Sequence, residues 1–252
     1  MGSSDSARVT TGGQATTGMP SAAVTPHRYE VKIPLPSLLL ADVEAWVRVH
    51  PSHWRRPYPP RQINNIYFDT PTYAGLNANL AGIGDRAKLR LRWYGDRLAC
   101  VADSYLELKQ KRGTIGWKEV IPVTVNLDLR DTGWRQLTAA LGDAAGTMGP
   151  QWFSHFPVPV LINCYQRDYY DTPDSVVRLT VDRRQRAYGQ RATRVPNLTL
   201  LASLADEIVI ELKAQTDAGA LRRLNDALSY FPPSVGRFSK YVRGVLATPD
   251  FL

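Results

Sequence analysis

One segment of the chain carries cationic side chains at every second position. In RAKLRLRW the cations are Arg86, Lys88, Arg90 and Arg92, with apolar residues between them. Side chains two residues apart on a β-strand share a face and lie about 6–7 Å apart. As a strand, this segment would present one cationic face and one apolar face. The cationic face could be an ordinary solvated surface or a site for an anion with several charged groups.

A second pattern places an acid and a base on the same face of a strand. The motif apolar–Glu–apolar–Lys occurs as YEVK, LELK and IELK, which contain Glu30 and Lys32, Glu107 and Lys109, and Glu211 and Lys213. The same alternation adds Arg28 to the first row, Lys111 to the second and Glu207 to the third. It also aligns Tyr165, Arg167 and Tyr169 in CYQRDYY, and Arg178, Thr180 and Asp182 in VVRLTVD. Many cations with a few glutamates suit a polyphosphate bound with a divalent metal, because carboxylate oxygens are good ligands for a hard cation.

Lysine is rare in this chain, which uses arginine for most of its basic positions. The seven lysines are Lys32, Lys88, Lys109, Lys111, Lys118, Lys213 and Lys240. All but Lys240 lie in segments with a strand pattern. A compact ammonium differs from a planar guanidinium as a phosphate ligand. The distribution therefore indicates that lysine is used where a point charge is needed.

The elements that must position these side chains are mostly strands. Alternation predicts strands at Arg28–Ile33, Gln62–Asp69, Arg86–Tyr94, Tyr105–Arg112, Trp117–Val125, Leu161–Tyr170, Val176–Tyr188 and Glu207–Lys213. Helical periodicity predicts helices at Ser37–Val49, Thr132–Leu141, Ala218–Tyr230 and Ser239–Leu246, with one short turn at Tyr73–Leu80. Strands and helices do not alternate regularly, so the pattern favours an antiparallel β-domain with helices packed outside it.

Two architectures accommodate strands with one charged and one apolar face. In a sandwich, the apolar faces meet and the charged faces contact water. In a closed barrel, the charged faces line a tunnel and helices cover the apolar exterior. The helices predicted at Ser37–Val49 and Ala218–Tyr230 have apolar sides that must cover such a surface. Together with the mixture of cations and glutamates, these helices favour the tunnel.

Composition limits the class of protein. The chain has 252 residues and a net charge of +8, which favours anionic partners. Its two cysteines cannot build a disulfide scaffold or a four-cysteine zinc site. No apolar run is long enough for a membrane span, and the N-terminus lacks the apolar core of a signal peptide, so we expect a cytoplasmic protein. Residues 1–26 have the composition of a disordered tail, and residues 27–252 are predicted to form one domain.

Several phrases of the sequence carry a resemblance to a known family. They are RYEVK, INNIYFDT, KLRLRWYGD, LELKQKRG, CYQRDYY, RLTVD, IELK and RFSKYVRG, and they span residues 28–244. In order and spacing they resemble the polyphosphate polymerase (VTC) domain of the triphosphate tunnel metalloenzyme superfamily. The resemblance implies an α+β, mainly β fold: a closed eight-stranded antiparallel β-barrel with helices packed outside. Its charged lumen would bind triphosphate and a metal.

The resemblance also implies roles for individual residues. Catalytic roles fall to Lys32, Arg90, Arg92, Lys109, Arg167, Arg178 and Lys240. Phosphate or nucleotide contacts fall to Arg28, Lys88, Lys111, Lys118, Tyr165, Lys213 and Arg237. A divalent metal, Mn²⁺ or Mg²⁺, would bind Glu211, with Glu30 and Glu107 as further candidates. The implied substrate is ATP, whose γ-phosphate would extend an inorganic polyphosphate chain, and pyrophosphate would act as primer.

One departure from the superfamily pattern bears on the reaction. The hydrolase branch opens with ExExK, whereas this chain has RxExK, with Arg28 where the first glutamate would stand. This points to the polymerase-like branch, while a metal-dependent triphosphatase and a non-catalytic polyphosphate or nucleotide sensor remain alternatives. ATP is not held by a P-loop, because no GxxxxGK[ST] motif occurs. Nucleic acid is not an expected partner, because no DNA- or RNA-binding motif occurs and acids within the cationic rows would repel a phosphate backbone.

Overall fold

The computed structural model describes residues 23–25, 28–113, 115–191, 193–230 and 236–249. The strands are β1 (Ala23–Thr25), β2 (Arg28–Pro36), β3 (Arg61–Asp69), β4 (Arg86–Tyr94), β5 (Cys100–Val101), β6 (Ser104–Arg112), β7 (Ile115–Val123), β8 (Leu127–Asp128), β9 (Val158–Asp171), β10 (Val177–Gly189) and β11 (Glu207–Gln215). The helices are α1 (Leu40–Val49), α2 (Ala74–Leu80), α3 (Trp134–Ala144), α4 (Met148–His155), α5 (Ala218–Ser229) and α6 (Lys240–Leu246), and a 3-10 turn at Ser37–Leu39 precedes α1.

All eight strands predicted from alternation are present, with ends that differ from the prediction by a few residues. The short strands β1, β5 and β8 and the helix α4 were not predicted. Helix α4 has glycine and proline in its first turn, Gly149 and Pro150, which mask its helical pattern although proline is tolerated there. Strand β1 lies inside the segment predicted to be a disordered tail, and residues 1–22 of that segment lie outside the described residues.

One antiparallel sheet contains all the long strands. Its strand order is β1-β7-β6-β4-β3-β9-β10-β11-β2, and β5 and β8 form a separate pair. The prediction of a closed barrel was wrong: the sheet curls into a half-barrel, and within the described part of the chain β2 pairs with β11 and not with β7. Alternation reveals which face of a strand a residue occupies, but it does not reveal whether the first and last strands pair.

The two edges of the curled sheet nevertheless lie close together. Strand β1 pairs with the outer edge of β7, and β2 pairs with the outer edge of β11. Only two residues separate Thr25 from Arg28, so these ends are at most about 11 Å apart. Across the sheet, Lys109 Nζ on β6 lies 3.9 Å from Glu30 Oε2 on β2. The face that carries both residues is therefore concave.

Apolar side chains on the opposite, convex face form two helix-covered clusters. Helices α3 and α4 cover β4, β6 and β7, where Leu89, Leu91 and Trp93 are fully buried. Helices α1 and α5 cover β2, β10 and β11 in the same way. These four helices confirm the predicted packing outside the sheet. None of the helices described is long and apolar enough to cross a membrane.

Helix α6 departs from this arrangement because it packs at one end of the concave face. Tyr241 stacks against Tyr67 with a ring-centroid distance of 5.2 Å, and Gly244 lies against Leu161. The Tyr241 hydroxyl donates a hydrogen bond to the buried Asp69 carboxylate. The first residues of α6 are consequently delivered to the concave face, where the charged rows lie.

The crossing of α3 and α4 gives a stability prediction. A Cβ added to Gly149 would lie 2.3 Å from the Gly142 carbonyl oxygen, whereas one added to Gly142 would meet only the Phe153 ring, at 3.9 Å. We expect Gly149→Ala to lower the free energy of unfolding by about 1–3 kcal/mol, because a backbone must move. Gly142→Ala is the matched control, and helix propensity should make it neutral or stabilising by about 0.5–1 kcal/mol. Equal urea-unfolding midpoints for the two variants would contradict this crossing geometry.

Candidate functional site

Strand register brings the charged rows together on the concave face. Lys32 lies opposite Glu211, Arg90 opposite Glu107, and Lys109 between Lys88 and Lys118 on the two neighbouring strands. The predicted site residues on this face are Arg28, Glu30, Lys32, Lys88, Arg90, Arg92, Glu107, Lys109, Lys111, Lys118, Tyr165, Arg167, Arg178, Glu211 and Lys213. Lys240 joins them from the start of α6.

Two carboxylates, those of Glu30 and Glu211, form an acidic pair on β2 and β11. Both carboxylates contact the ammonium groups of Lys32 and Lys213. Lys32 Nζ lies 2.5 Å from Glu30 Oε1 and 3.6 Å from Glu211 Oε1, and Lys213 Nζ lies 3.1 Å from Glu211 Oε2. Burial alone would raise the pKa of Glu211, but Lys213, Lys32 and Arg167 outweigh it and hold that pKa well below its usual range. Glu211 is therefore a buried anion surrounded by cations.

The acidic pair fits a divalent cation that is shared with phosphate. Mg²⁺ is commonly bound through one or two carboxylates together with substrate phosphates. Within the described residues no group of three or more His, Cys, Asp or Glu side chains is placed to hold a metal ion. A metal bound only by protein side chains is thus not supported, whereas Glu30 and Glu211 can supply the protein's share of a metal–phosphate site.

Glu107, the third predicted metal ligand, lies apart from this pair. Its carboxylate accepts hydrogen bonds from Arg90 Nε and, at 3.1 Å, from Lys118 Nζ. Burial alone would raise the pKa of Glu107, but Arg90, Arg92 and Lys118 lower it far below its usual range. In this geometry Glu107 orients two cations and does not join the acidic pair.

A second buried ion cluster joins β9, β10 and α6. Arg167 donates two hydrogen bonds to Asp182, with Nε to Oδ1 at 2.5 Å and Nη2 to Oδ2 at 2.7 Å. Lys240 Nζ lies 2.6 Å from Asp182 Oδ2, and Arg167 Nη2 lies 3.5 Å from Glu211 Oε2. Asp182 is fully buried. This cluster links the start of α6 to the acidic pair and fixes the position of both cations.

Two cations of the concave face are held by neutral groups. Arg92 donates from Nε to Asn65 Oδ1 at 3.0 Å and from Nη2 to the Tyr165 hydroxyl at 3.4 Å. Lys88 donates to Ser239 Oγ at 3.2 Å and lies 5.2 Å from the centre of the Tyr241 ring. No carboxylate of the described residues forms an ion pair with either. Their positive charge therefore remains available to an anionic ligand.

The remaining predicted residues lie towards the ends of the strands. Arg178 is held by Asp171 through two hydrogen bonds, of 2.7 and 2.9 Å, and its side chain is 43% exposed. Arg28 is the exposed first residue of β2, and Lys111 is near the end of β6. Arg237 is exposed on the loop before α6, and no ion pair in the described ranges includes it. The structure thus brings the centre of the predicted set together and leaves these four at its margins.

Several residues that shape this site were not predicted as site residues. Asn65 and Tyr67 hold Arg92 and Arg90, Asp182 holds Arg167 and Lys240, and Ser239 contacts Lys88. The alternation of INNIYFDT places Asn65 and Tyr67 on one face of β3, and VVRLTVD aligns Asp182 with Arg178. The signal was present in both segments. For Ser239 no sequence signal exists, because its role depends on where α6 packs.

A curled antiparallel sheet with a cationic concave face and buried carboxylates has the charge distribution suited to a strongly charged anion. The sequence match is more specific: residues 27–248 match the family model of the VTC domain. The chain belongs to the VTC domain family. This confirms the family resemblance found in the sequence. A search of the curated proteins finds no match for this chain.

Solved structures give weaker likenesses. HpAC1 from Hippeastrum, a candidate adenylyl cyclase described as having a dominant triphosphatase activity, is 18% identical over 84% of this chain and 92% of its own, with a TM-score of 0.42. A candidate adenylate cyclase from Vibrio parahaemolyticus is 13% identical over 81% and 84%, with a TM-score of 0.40. A chain of the Schizosaccharomyces pombe Mediator head module is 9% identical over 82% and 96%, with a TM-score of 0.45. All three TM-scores are below 0.5, so the family assignment rests on the sequence match.

Proposed function

We propose that this protein binds triphosphate and polyphosphate on its concave face and transfers the γ-phosphoryl group of ATP to a growing polyphosphate chain. The proposal rests on the observation that the cations on that face fall into two groups, those paired with carboxylates and those without a carboxylate partner among the described residues. Some are neutralised by Glu30, Glu107, Glu211 and Asp182, whereas Lys88 and Arg92 are not. A polyphosphate would supply the missing negative charge, and membership of the VTC domain family supports this ligand class.

The transfer step requires positioning and charge stabilisation more than covalent help. The terminal oxygen of the acceptor attacks the γ-phosphorus in line, the bond to the β–γ bridging oxygen breaks, and ADP leaves. No general base is needed, because the acceptor phosphate is already anionic. Arg92 and Lys88 would bind phosphate oxygens directly, and Arg90 is held ready by Glu107. Lys240 and Arg167, fixed by Asp182, complete the cationic wall.

Glu30 and Glu211 would bind the divalent ion that this reaction uses. When bound between these carboxylates and the substrate, it would neutralise charge on the phosphate oxygens that it contacts. We propose Mn²⁺ or Mg²⁺ from the oxygen donors of the pair. Lys32 and Lys213 already contact both carboxylates, so they would have to turn towards phosphate when the metal binds.

The competing reaction is hydrolysis, in which the same cations and metal would transfer the γ-phosphoryl group to water. The identity of the first residue on β2 favours the polymerase. Arg28 lies opposite Gln215, so the strand offers only Glu30 where a hydrolase would offer two acids. This leaves a single glutamate from β2 beside Glu211.

The proposed function is tested by an end-point assay. Purified protein is incubated with ATP, Mn²⁺ or Mg²⁺ and a little pyrophosphate, and the products are separated by size on a gel. A ladder of chains that disappears in Glu211→Ala and Arg90→Ala is the expected result. Orthophosphate as the only product would show that the protein is a triphosphatase and not a polymerase. Binding of triphosphate without any product would instead indicate a sensor.

Lys88 gives a pH prediction for this binding. Burial, reinforced by Lys109, Arg86, Lys32 and Arg90, lowers the pKa of Lys88 from 10.5 to about 7. In the free protein its ammonium therefore loses its proton as the pH rises through 7, and an anion that needs the charged form binds less tightly. We expect the affinity for tripolyphosphate to fall roughly tenfold between about pH 7 and 8.5 through this group.

The matched variants for Lys88 are Lys88→Arg and Lys88→Met. Arginine stays protonated over this range, so Lys88→Arg should show a flatter pH profile. Lys88→Met should bind weakly at every pH. Calorimetric titrations with tripolyphosphate at several pH values measure all three proteins. An unchanged wild-type slope in Lys88→Met would show that another group causes the pH dependence.

A further inference from the structure

One end of the concave face carries a cluster of tyrosines around an arginine. Arg61 is the first residue of β3, Tyr94 the last of β4, and Tyr105 the second of β6. Neighbouring antiparallel strands run in opposite directions, so these three positions meet at the same rim. Tyr169, near the end of β9, and Tyr58, in the loop before β3, lie at this rim as well. We call these five residues the tyrosine rim.

Contacts between the side chains hold the tyrosine rim together. The Arg61 guanidinium carbon lies 4.2 Å from the Tyr94 ring centroid and 5.0 Å from that of Tyr169, and Arg61 Nε donates to the Tyr169 hydroxyl at 3.0 Å. The Tyr94 and Tyr105 centroids are 6.3 Å apart, with the rings nearly edge to face. Tyr58 packs against Tyr169 at 5.9 Å. Arg61 is thus fixed between two rings.

Two rings of the cluster keep a substantial part of their surface open. Tyr94 is 36% exposed and Tyr105 is 38% exposed, although both lie on the same face as the cationic row of β4 and β6. The opposite end of the same strands differs, because Arg86 and Lys111 lie there and the start of α6 packs nearby. The two ends of the concave face therefore differ: one carries tyrosine rings packed around Arg61, and the other carries Arg86 and Lys111.

We propose that Tyr94 and Tyr105 form a stacking platform for the base of a nucleoside triphosphate whose phosphates extend onto the concave face. The inference rests on the proposed function and adds the end of the face at which the nucleoside lies. Aromatic rings bind any nucleobase by stacking. The Arg61 guanidinium packs on the Tyr94 ring by a cation–π contact and so holds that ring in place.

The spacing of the platform and the first free cation matches a nucleotide. Arg92 lies two residues before Tyr94 on the same face of β4, about 6–7 Å along the strand, and directly opposite Tyr105 on β6. A ribose spans a comparable distance between a base and its first phosphate. With the base on the tyrosines, the α-phosphate reaches Arg92 and the remaining phosphates point towards Arg90 and Lys88. The γ-phosphate then lies deepest, and a polyphosphate acceptor would approach from the end that carries Arg86 and Lys111.

Binding of ATP and of tripolyphosphate, compared by calorimetry in EDTA so that no turnover occurs, tests this arrangement. The double variant Tyr94→Ala with Tyr105→Ala should bind ATP about tenfold more weakly, as expected for the loss of base stacking. Its affinity for tripolyphosphate, which has no base, should stay within about twofold of wild type. The control, Tyr94→Phe with Tyr105→Phe, keeps both rings and should bind both ligands normally. Thermal melts of both variants establish that they are folded.

The possible results separate the two proposals. Equal changes for ATP and tripolyphosphate in the alanine variant, or no change in either, would overturn the platform and leave phosphate binding intact. Wild-type protein that binds tripolyphosphate but not ATP would overturn the platform and also ATP as the phosphoryl donor, and would leave only the binding of inorganic phosphate chains. Wild-type protein that binds neither ligand would overturn the proposed function, and the platform with it.

Discussion

Replacing Asp182 with alanine should lower the free energy of unfolding by about 3–5 kcal/mol. The change leaves Arg167 with only a 3.5 Å contact to Glu211 and leaves Lys240 without a carboxylate partner. Both cations are largely buried, at 11% and 13% exposed, so water cannot replace the missing charge. Urea unfolding measures the loss. Because Lys240 is the first residue of α6, we also expect that helix to lose protection from hydrogen exchange.

The control for this variant is an ion pair on the surface between the same sheet and the same helix. Glu207 on β11 pairs with Arg243 on α6 at 3.6 Å, and their side chains are 24% and 51% exposed, against 0% for Asp182. Glu207→Ala should change stability by at most about 1 kcal/mol, because water screens such pairs. Similar decreases in the free energy of unfolding for the two variants would mean that the buried Asp182 cluster stabilises the fold no more than a surface ion pair does.

The Asp182 cluster also predicts an acid dependence. Burial alone would raise the pKa of Asp182, but Arg167 and Lys240 outweigh it and hold that pKa below its ordinary value of 3.8. The stabilisation is therefore complete above the ordinary value and is lost as the pH falls below it towards the folded-state value. The stability difference between wild type and Asp182→Asn should accordingly be constant near neutrality and shrink below about pH 4.

The largest effect on activity is expected for Arg92. Arg92→Ala should lower kcat/KM for phosphoryl transfer about 10²- to 10³-fold, the cost typical of removing one preorganised donor to a developing charge. Stability should fall less than in Asp182→Ala, because among the described residues Arg92 forms hydrogen bonds with Asn65 and the Tyr165 hydroxyl and no ion pair with a carboxylate, although its charge helps to lower the pKa of Glu107. Initial rates with ATP and a pyrophosphate primer, together with urea unfolding, measure both quantities.

Two variants bracket the result for Arg92. Arg92→Lys keeps the charge but loses the planar fork, so its activity should lie between those of wild type and Arg92→Ala. Arg130→Ala removes an exposed arginine paired with Asp128, outside the concave face, and should leave activity unchanged. Wild-type kcat/KM in Arg92→Ala would exclude Arg92 from the site.

The strands and their charged faces were predictable because the alternation is regular. The rows that contain Arg90, Lys109 and Glu211 lie on one face of the sheet, as the two-residue period requires. Helices α1, α3 and α5 follow from their apolar periodicity in the same way. For these elements local sequence and tertiary structure agree, so reasoning from short segments succeeds.

The features that escaped prediction depend on contacts between distant segments. Whether β2 pairs with β7 is decided by the curl of the whole sheet. The separation of Glu107 from Glu30 and Glu211 depends on which cations lie nearest in space, because all three glutamates occur in the same motif. The packing of α6 on the concave face likewise rests on Gly244 meeting Leu161. No local pattern contains this information.

The acidic pair has a consequence for how the protein is made. Glu30 comes from β2 and Glu211 from β11, which are the first and the last of the long strands. Pairing of segments so far apart in the chain carries a large loop-closure cost and forms late in folding. While β11 is still inside the ribosome, the nascent chain lacks Glu211, and the edge of β10 that pairs with β11 is open. We expect the nascent protein to acquire the proposed affinity for metal and phosphate in one late step, after synthesis of nearly the whole domain.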